Sequence, residues 1–248
     1  MTELLAGEKR FDCELVIFDK NGTLVDQQKL LLALAIARRD SVRRELGRKS
    51  SDLWEKVVGV DLRKLFIDHS GPLATAARRE ELVVASVAAY LGDKSWSDAK
   101  KLVERVYDVA DASMKSPYGS VLLEGVLDTL RDLRKHGLKM AIASTDTHSR
   151  TVESFKTLGL AELFDAIVGS DDVSDVKPSS MMVMRILEQT CIASNEAVMV
   201  GDSLSDMQMG RNAGLKACIG VLTGFTPKEK LEPLADVVLG SVADLRAV

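Results

Sequence analysis

Residues 14–26 read ELVIFDKNGTLVD. An apolar run, Leu15–Phe18, leads straight into Asp19 and then into a polar turn that contains Gly22. A strand buried on both faces is a near-continuous apolar run, and in open α/β sheets the reactive groups gather at its carboxyl end. The stretch therefore predicts a buried parallel strand over Glu14–Phe18 that delivers Asp19 to a sheet edge. Asp19 stands where a carboxylate nucleophile would stand. Asn21, two residues on, is an amide where a proton-transfer carboxylate would be expected.

The chain on either side of this strand has two textures. Residues 1–12 read as a short polar lead-in. From about Gln27 to Lys115 apolar residues recur at helical spacing, as at Leu31, Leu34, Ala35, Val42 and Leu46. DLRKLFIDH (61–69), TAARREELVVASVAAYL (75–91) and SDAKKLVERVYDVADASM (97–114) extend that helical pattern, with Ser97 as a candidate N-cap. From Tyr118 onward strands alternate with helices. Strands are expected over Leu138–Ser144, Asp165–Ser170, Glu196–Asp202, Lys216–Val221 and Ala235–Gly240. Helices are expected over Val126–His136, Ser149–Leu158, Ser179–Gln189 and Leu204–Ala213; Ser179 or Ser180 would cap the third, and Gly137, Gly159 and Gly214 follow the others as stop signals. Such alternation predicts an α/β fold, a doubly wound, largely parallel, Rossmann-like sheet. The helical stretch between the first two strands is too long for a crossover. It reads as an inserted all-α domain over 26–117, with the α/β core formed by 1–25 and 118–248.

Composition narrows the function. The chain has 248 residues, 46% of them hydrophobic and 28% charged, which suits a globular protein with a sizeable core. A net charge of −4 argues against nucleic acid as the main partner. Cys13, Cys191 and Cys218 are scattered and odd in number, as expected of reduced thiols rather than a disulfide framework or a metal site. No apolar run reaches transmembrane length, and the N-terminus lacks the apolar stretch of a signal peptide. These features predict a cytoplasmic protein without a membrane or nucleic-acid partner, and they are equally compatible with a monomer and a homo-oligomer.

The polar residues at the expected strand ends form a chemical set. Asp19 follows the first strand, Ser144 ends the second with Thr145 beside it, Lys177 lies in DVKPSS, and Asp202 and Asp206 lie in GDSLSD. Phosphoryl transfer needs a nucleophile, a divalent cation, donors around the phosphoryl oxygens and a fixed positive charge. Asp19 can form an aspartyl-phosphate. Asp19 and Asp202 can share Mg²⁺, with Asp206 binding directly or through water. Ser144 offers a hydroxyl, and the N–H groups of Lys20, Asn21 and Gly22 can form an anion nest. Lys177 can hold nucleophile and phosphate together, and Thr23 can brace the turn or donate to the site. Each feature alone is commonplace; their order along the chain, each at a strand end, carries the reading.

Taken together these residues resemble the haloacid dehalogenase superfamily of phosphatases. Asp19-Lys20-Asn21-Gly22-Thr23 is similar to its first motif, Ser144 in AIAS to its second, Lys177 in VKP to its third and GDSLSD to its fourth. The insert is placed and sized like the helical C1 cap of that superfamily. FDKNGTL, VLLEGVLDTL and AGLKACIGVLTGF look most like the phosphoglycolate phosphatase branch. The resemblance implies attack by Asp19 on phosphorus, Mg²⁺ held by Asp19, Asp202 and the backbone carbonyl of Asn21, and a phosphoryl group held by Ser144 and Lys177. It further implies a cap that closes over a small phosphorylated metabolite.

The chain departs from that family at Asn21, where an aspartate would protonate the leaving oxygen and activate water. A carboxamide has no useful acid or base form near neutral pH, so catalysis is expected to be slowed by roughly 10²–10⁴-fold. Asn21 reads in three ways: a replacement that traps an intermediate, a natural residue in an enzyme with other means, or the mark of a protein that binds a phosphorylated ligand without turnover. Asn-Gly also simply suits a tight turn. The competing activities are a non-catalytic phospho-ligand binder and a metal-independent carbon–halogen hydrolase. In the insert, Arg38, Arg39, Arg43, Arg44 and Arg48 read as a solvated helix face, Trp54 and Trp96 as packing residues, and His148 as a surface residue.

Overall fold

The computed structural model describes residues 2–76, 78–114 and 121–248. The chain divides into two compact units, Met1–Gln27 with Ser120–Val248, and Gln28–Gly119. The expected boundary at 117/118 lies outside the described residues.

In the first unit the strands are β1 (Thr2–Ala6), β2 (Lys9–Cys13), β3 (Leu15–Phe18), β6 (Lys139–Ala143), β7 (Ala166–Val168), β8 (Ala197–Gly201), β9 (Ala217–Val221), β10 (Val237–Leu239) and β11 (Leu245–Ala247). Its helices are α5 (Val126–Lys135), α6 (His148–Thr157), α7 (Met181–Thr190), α8 (Leu204–Asn212) and the short α9 (Lys228–Leu231). The intervening numbers belong to the second unit. Among the described residues six strands form one parallel sheet in the order β10-β9-β8-β3-β6-β7. The chain runs outward from β3 through β6 to β7, then returns to β8 on the other flank of β3. That reversal puts a topological switch point between β3 and β8, where open α/β sheets place their ligands.

Alternation along β3 divides the core. Val16 and Phe18 face a cluster with Leu130 and Leu133 of α5 and Phe155 of α6. Leu15 and Ile17 face Met182, Val183 and Ile186 of α7 and Met207 of α8. With both faces covered, all four β3 side chains are fully buried, which is why the strand reads as an unbroken apolar run.

The N-terminal segment differs from expectation. Residues 1–12 are not a lead-in: β1 and β2 form an antiparallel hairpin, and β11 pairs with β1 from the other end of the chain. Gly7 turns the hairpin at φ +61°. Leu4 and Ala6 point into the core beside Leu245 and Ala247 while Glu8, Lys9 and Arg10 stay exposed. The chain's polar texture comes from the turn and the outward face of this hairpin.

The second unit is mainly helical. Its helices are α1 (Gln27–Val58), α2 (Pro72–Thr75), α3 (Arg78–Leu91) and α4 (Trp96–Ser113); α1 is interrupted by non-helical Gly47 at φ 82°. Two expectations are corrected here. Residues 61–69 do not continue a helix: β4 (Val60–Asp61) and β5 (Phe66–Ile67) pair across a turn, with Leu65 at φ 52° and the Asp61 carboxylate accepting from the Arg63 and Lys64 N–H groups. A side chain that bonds the backbone locally competes with helix. The α4 cap is Ser95 rather than Ser97, since Ser95 Oγ accepts from Asp98 N at 3.2 Å. In the first unit Ser180 occupies the N-cap position of α7, as one of the two expected candidates, without a side-chain cap bond, and Ser179 Oγ accepts from Met181 N at 3.4 Å.

Arg38 is also not on a solvated face. It is buried, bidentate on Asp111 (2.9 and 3.1 Å), 2.6 Å from Glu81 and stacked over Tyr107. Trp54 is fully buried and donates to the Tyr107 hydroxyl at 2.8 Å, whereas Trp96 is substantially exposed. No helix among the described residues is long and apolar enough to cross a membrane.

Candidate active site

Parallel strands deliver their carboxyl ends to one sheet edge, and the polar set collects there. Asp19 follows β3, its N–H bonded to Val200 O of β8 at 2.9 Å. Ser144 follows β6, Lys177 lies between β7 and α7, and Asp202 follows β8. Asp19, Asp202 and Asp206 are all buried and offer carboxylate oxygens within 4.8 Å of one another. Lys177 reaches into this cluster: its Nζ stands 2.5 Å from Asp19 Oδ1 and 2.7 Å from Asp206 Oδ1, with its side chain only 3% exposed. The Lys177–Pro178 peptide is cis.

Electrostatics follow from burial. Desolvation pushes the Asp19 carboxyl up to about 6; Lys177 opposes the shift and Asp206 adds to it. Asp202 is pushed well above the usual carboxylate range by burial and then by Asp19 and Asp206. Burial pulls Lys177 down, but Asp19 and Asp206 together outweigh it and hold the ammonium form. Three clustered carboxylates against one lysine leave an excess of negative charge in a desolvated place. A divalent, oxygen-seeking cation is the species that relieves such an excess, so the residues present fit Mg²⁺.

Several contacts shape the Asp202 side of the cluster. Thr23 Oγ1 donates to Asp202 Oδ1 at 3.2 Å. Gly22 sits at φ +88°, and a Cβ there would come within 2.7 Å of Asp202 Oδ2. A Cβ at Gly224 would overlap the same carboxylate. Only glycine tolerates both approaches. Asp206 is engaged at both oxygens: Oδ1 meets Lys177, while Oδ2 accepts from Ser203 N (3.0 Å) and Ser203 Oγ (2.6 Å) in the capping box of α8.

The turn after Asp19 is arranged differently from an open anion nest. The Gly22 N–H donates to Val25 O at 2.8 Å, and Lys20 O accepts from Leu24 and Val25. The Lys20 side chain is buried and turned to Asp146 Oδ2 at 2.7 Å. Asn21 Nδ2 donates to the same oxygen at 3.3 Å. Ser144 is buried and its Oγ accepts from Asp146 N at 3.1 Å, while Thr145 is exposed. His148 pairs with Asp172 at 2.8 Å.

Sequence reasoning passed over Asp146 and Thr223. Asp146 stands two residues beyond Ser144, so the strand-end rule that found Ser144 reaches it as well. Thr223 follows β9, and its Oγ1 donates to Gly22 O at 2.6 Å. The same rule applied to the KACIGV strand would have found it.

Residues 16–220 match the haloacid dehalogenase-like hydrolase family. The chain is 30% identical to pyrophosphatase PpaX from Halalkalibacterium halodurans, over 93% of this chain and 94% of that protein. It is 26% identical to phosphoglycolate phosphatase from Pseudomonas putida, over 94% of this chain and 78% of that one. In fold it is similar to a haloacid dehalogenase-superfamily hydrolase, subfamily IA, from Geobacter sulfurreducens, at a TM-score of 0.65 and 18% identity over 96% and 97% of the two chains. The chain belongs to the haloacid dehalogenase-like hydrolase family. Within that family it is an enzyme of the phosphatase kind.

Proposed function

We propose that this protein is a Mg²⁺-dependent phosphomonoesterase that acts through an aspartyl-phosphate on Asp19, with a small phosphorylated metabolite as substrate. The observation that carries this reading is the buried cluster of Asp19, Asp202 and Asp206 with Lys177 at its centre. Relatives named for pyrophosphate and phosphoglycolate support the substrate class.

Asp19 would attack phosphorus through a carboxylate oxygen as the ester P–O bond breaks, leaving an acyl-phosphate. Lys177 lies against that carboxylate and keeps it ionised next to the incoming phosphate. Asp206, held by the α8 capping box, fixes Lys177 in turn. Asp19, Asp202 and the Asn21 backbone carbonyl would hold Mg²⁺, with Asp206 reaching it through water. The metal supplies neutralisation of phosphate charge. The Ser144 hydroxyl accepts from the Asp146 N–H, which leaves its own proton to donate to a phosphoryl oxygen. Asn21 can accept a hydrogen bond but cannot carry a proton, so both the departure of the leaving group and the hydrolysis of the acyl-phosphate go without general acid–base help at this position. The helical unit Gln28–Gly119 would serve as the cap that selects the substrate.

A panel of phosphorylated metabolites and an aryl phosphate, assayed with and without Mg²⁺, tests this reading. Phosphate release that requires Mg²⁺ and disappears in Asp19→Ala supports it. Halide release in the presence of chelator, or saturable ligand binding with no turnover even after Asn21→Asp, would transfer support to one of the competing activities.

A further inference from the structure

Asp146 belongs to none of the four motif positions, yet it makes the side-chain contact that orients Asn21. Its backbone is tied on both sides: its N–H donates to Ser144 Oγ at 3.1 Å, and its carbonyl accepts from Ser170 N at 2.8 Å. From that fixed place its Oδ2 accepts from Lys20 Nζ at 2.7 Å and from Asn21 Nδ2 at 3.3 Å. The Lys20 side chain is 1% exposed and that of Asp146 31% exposed, so the pair lies at the border between core and solvent.

A carboxamide has a donor end and an acceptor end, and an ionised carboxylate can only accept. Asp146 therefore requires the NH₂ end of Asn21 to face it. The opposite end, Asn21 Oδ1, is then a buried oxygen with no hydrogen-bond partner among the described residues. Buried polar atoms are almost always partnered, and this one lacks a donor among the described residues. In hydrolysis of the proposed acyl-phosphate, a donor that could meet it is water.

We propose that Asp146 is a positioning residue that locks the Asn21 amide with Oδ1 as the acceptor for the hydrolytic water. The proposal rests on the phosphatase reading. The water oxygen bonds to phosphorus, the bond between Asp19 and phosphorus breaks, and the water's proton passes to a phosphoryl oxygen of the departing phosphate. Asn21 orients the water and takes no proton.

The test is a double-mutant cycle with an aryl phosphate as substrate. Asp146→Leu is expected to lower kcat by about tenfold or more with little change in KM, since a small misplacement of a reacting group is costly. In an Asn21→Ala background the same substitution should cost nothing further. Because Asp146→Leu also leaves the buried Lys20 without its counter-charge, the cycle is repeated in a Lys20→Met background. Equal losses with and without Asn21, or no loss in either, would overturn the proposal. A second readout needs no turnover: in ¹⁵N-labelled protein the two Asn21 carboxamide protons should be well separated and slow to exchange, and Asp146→Leu should bring them to free-amide behaviour. Unchanged signals would also overturn it. Failure of the phosphatase reading shows separately, as hydrolysis that survives Asp19→Ala.

Discussion

Lys177 Nζ stands 2.5 Å from Asp19 Oδ1 and, on its other side, 2.7 Å from Asp206 Oδ1. One ammonium thus bridges the proposed nucleophile and a carboxylate that the α8 capping box holds in place. Lys177→Met is expected to lower kcat by about 10²–10³-fold, the size of effect seen when a fixed electrostatic group is removed from a reacting centre. It should also lower the Tm of the metal-free protein, because Asp19 and Asp206 lose the ammonium that bridges them. Steady-state phosphate release and a thermal melt check the two halves.

The raised carboxyls predict a linked dependence on pH and metal. Asp19 moves from an ordinary 3.8 to about 6, so the native state binds the proton more tightly than the unfolded chain between those values. Its contribution to metal-free stability is therefore largest at low pH and is lost as pH rises through about 6. Asp202 shifts in the same direction. Mg²⁺ held as proposed would bind the ionised forms and reverse the loss. The rise in Tm on adding Mg²⁺ should be small near about pH 5 and grow toward neutrality. A metal-induced rise that is independent of pH would contradict this.

Asn21→Asp is expected to raise kcat by about 10²–10⁴-fold, the range that general acid–base catalysis supplies. The new carboxylate would lie beside Asp146, where like charge raises the pKa of one member and favours a protonated acid at neutral pH. Removing Asp146 as well, in Asn21→Asp/Asp146→Asn, should therefore move the alkaline limb of the pH–rate profile, where that acid loses its proton, downward.

Arg38 and Arg44 separate packing from surface charge in the helical unit. Arg38→Ala leaves the buried Glu81 without its guanidinium, while Asp111 keeps Arg78, and should destabilise by about 3–5 kcal/mol. Arg44 is exposed, and Arg44→Ala should stay within about 0.5 kcal/mol. Denaturant titration of the two variants decides the contrast.

What could be read from the sequence was what depends on one strand or one turn at a time. Leu15–Phe18 and Ala197–Gly201 are buried on both faces, so their apolar runs announce parallel strands and their ends announce Asp19 and Asp202. The β1–β2 hairpin was not legible because its partner β11 lies at the far end of the chain and β2 exposes Lys9, Arg10 and Asp12. The burial of Arg38 depends on carboxylates from two other helices, Glu81 of α3 and Asp111 of α4. Asp146 escaped for a related reason: its role comes from the Lys20–Asn21 turn, more than a hundred residues earlier.

The proposed chemistry runs through a covalent aspartyl-phosphate on Asp19. Acid quenching during turnover of an aryl phosphate with Mg²⁺, followed by peptide mass mapping, tests it directly. A phosphoryl mass on the peptide that carries Asp19, absent from Asp19→Ala, is the expected result, and the missing acid–base group at Asn21 should let the intermediate accumulate. Turnover with no label on Asp19, or full activity in Asp19→Ala, would contradict it.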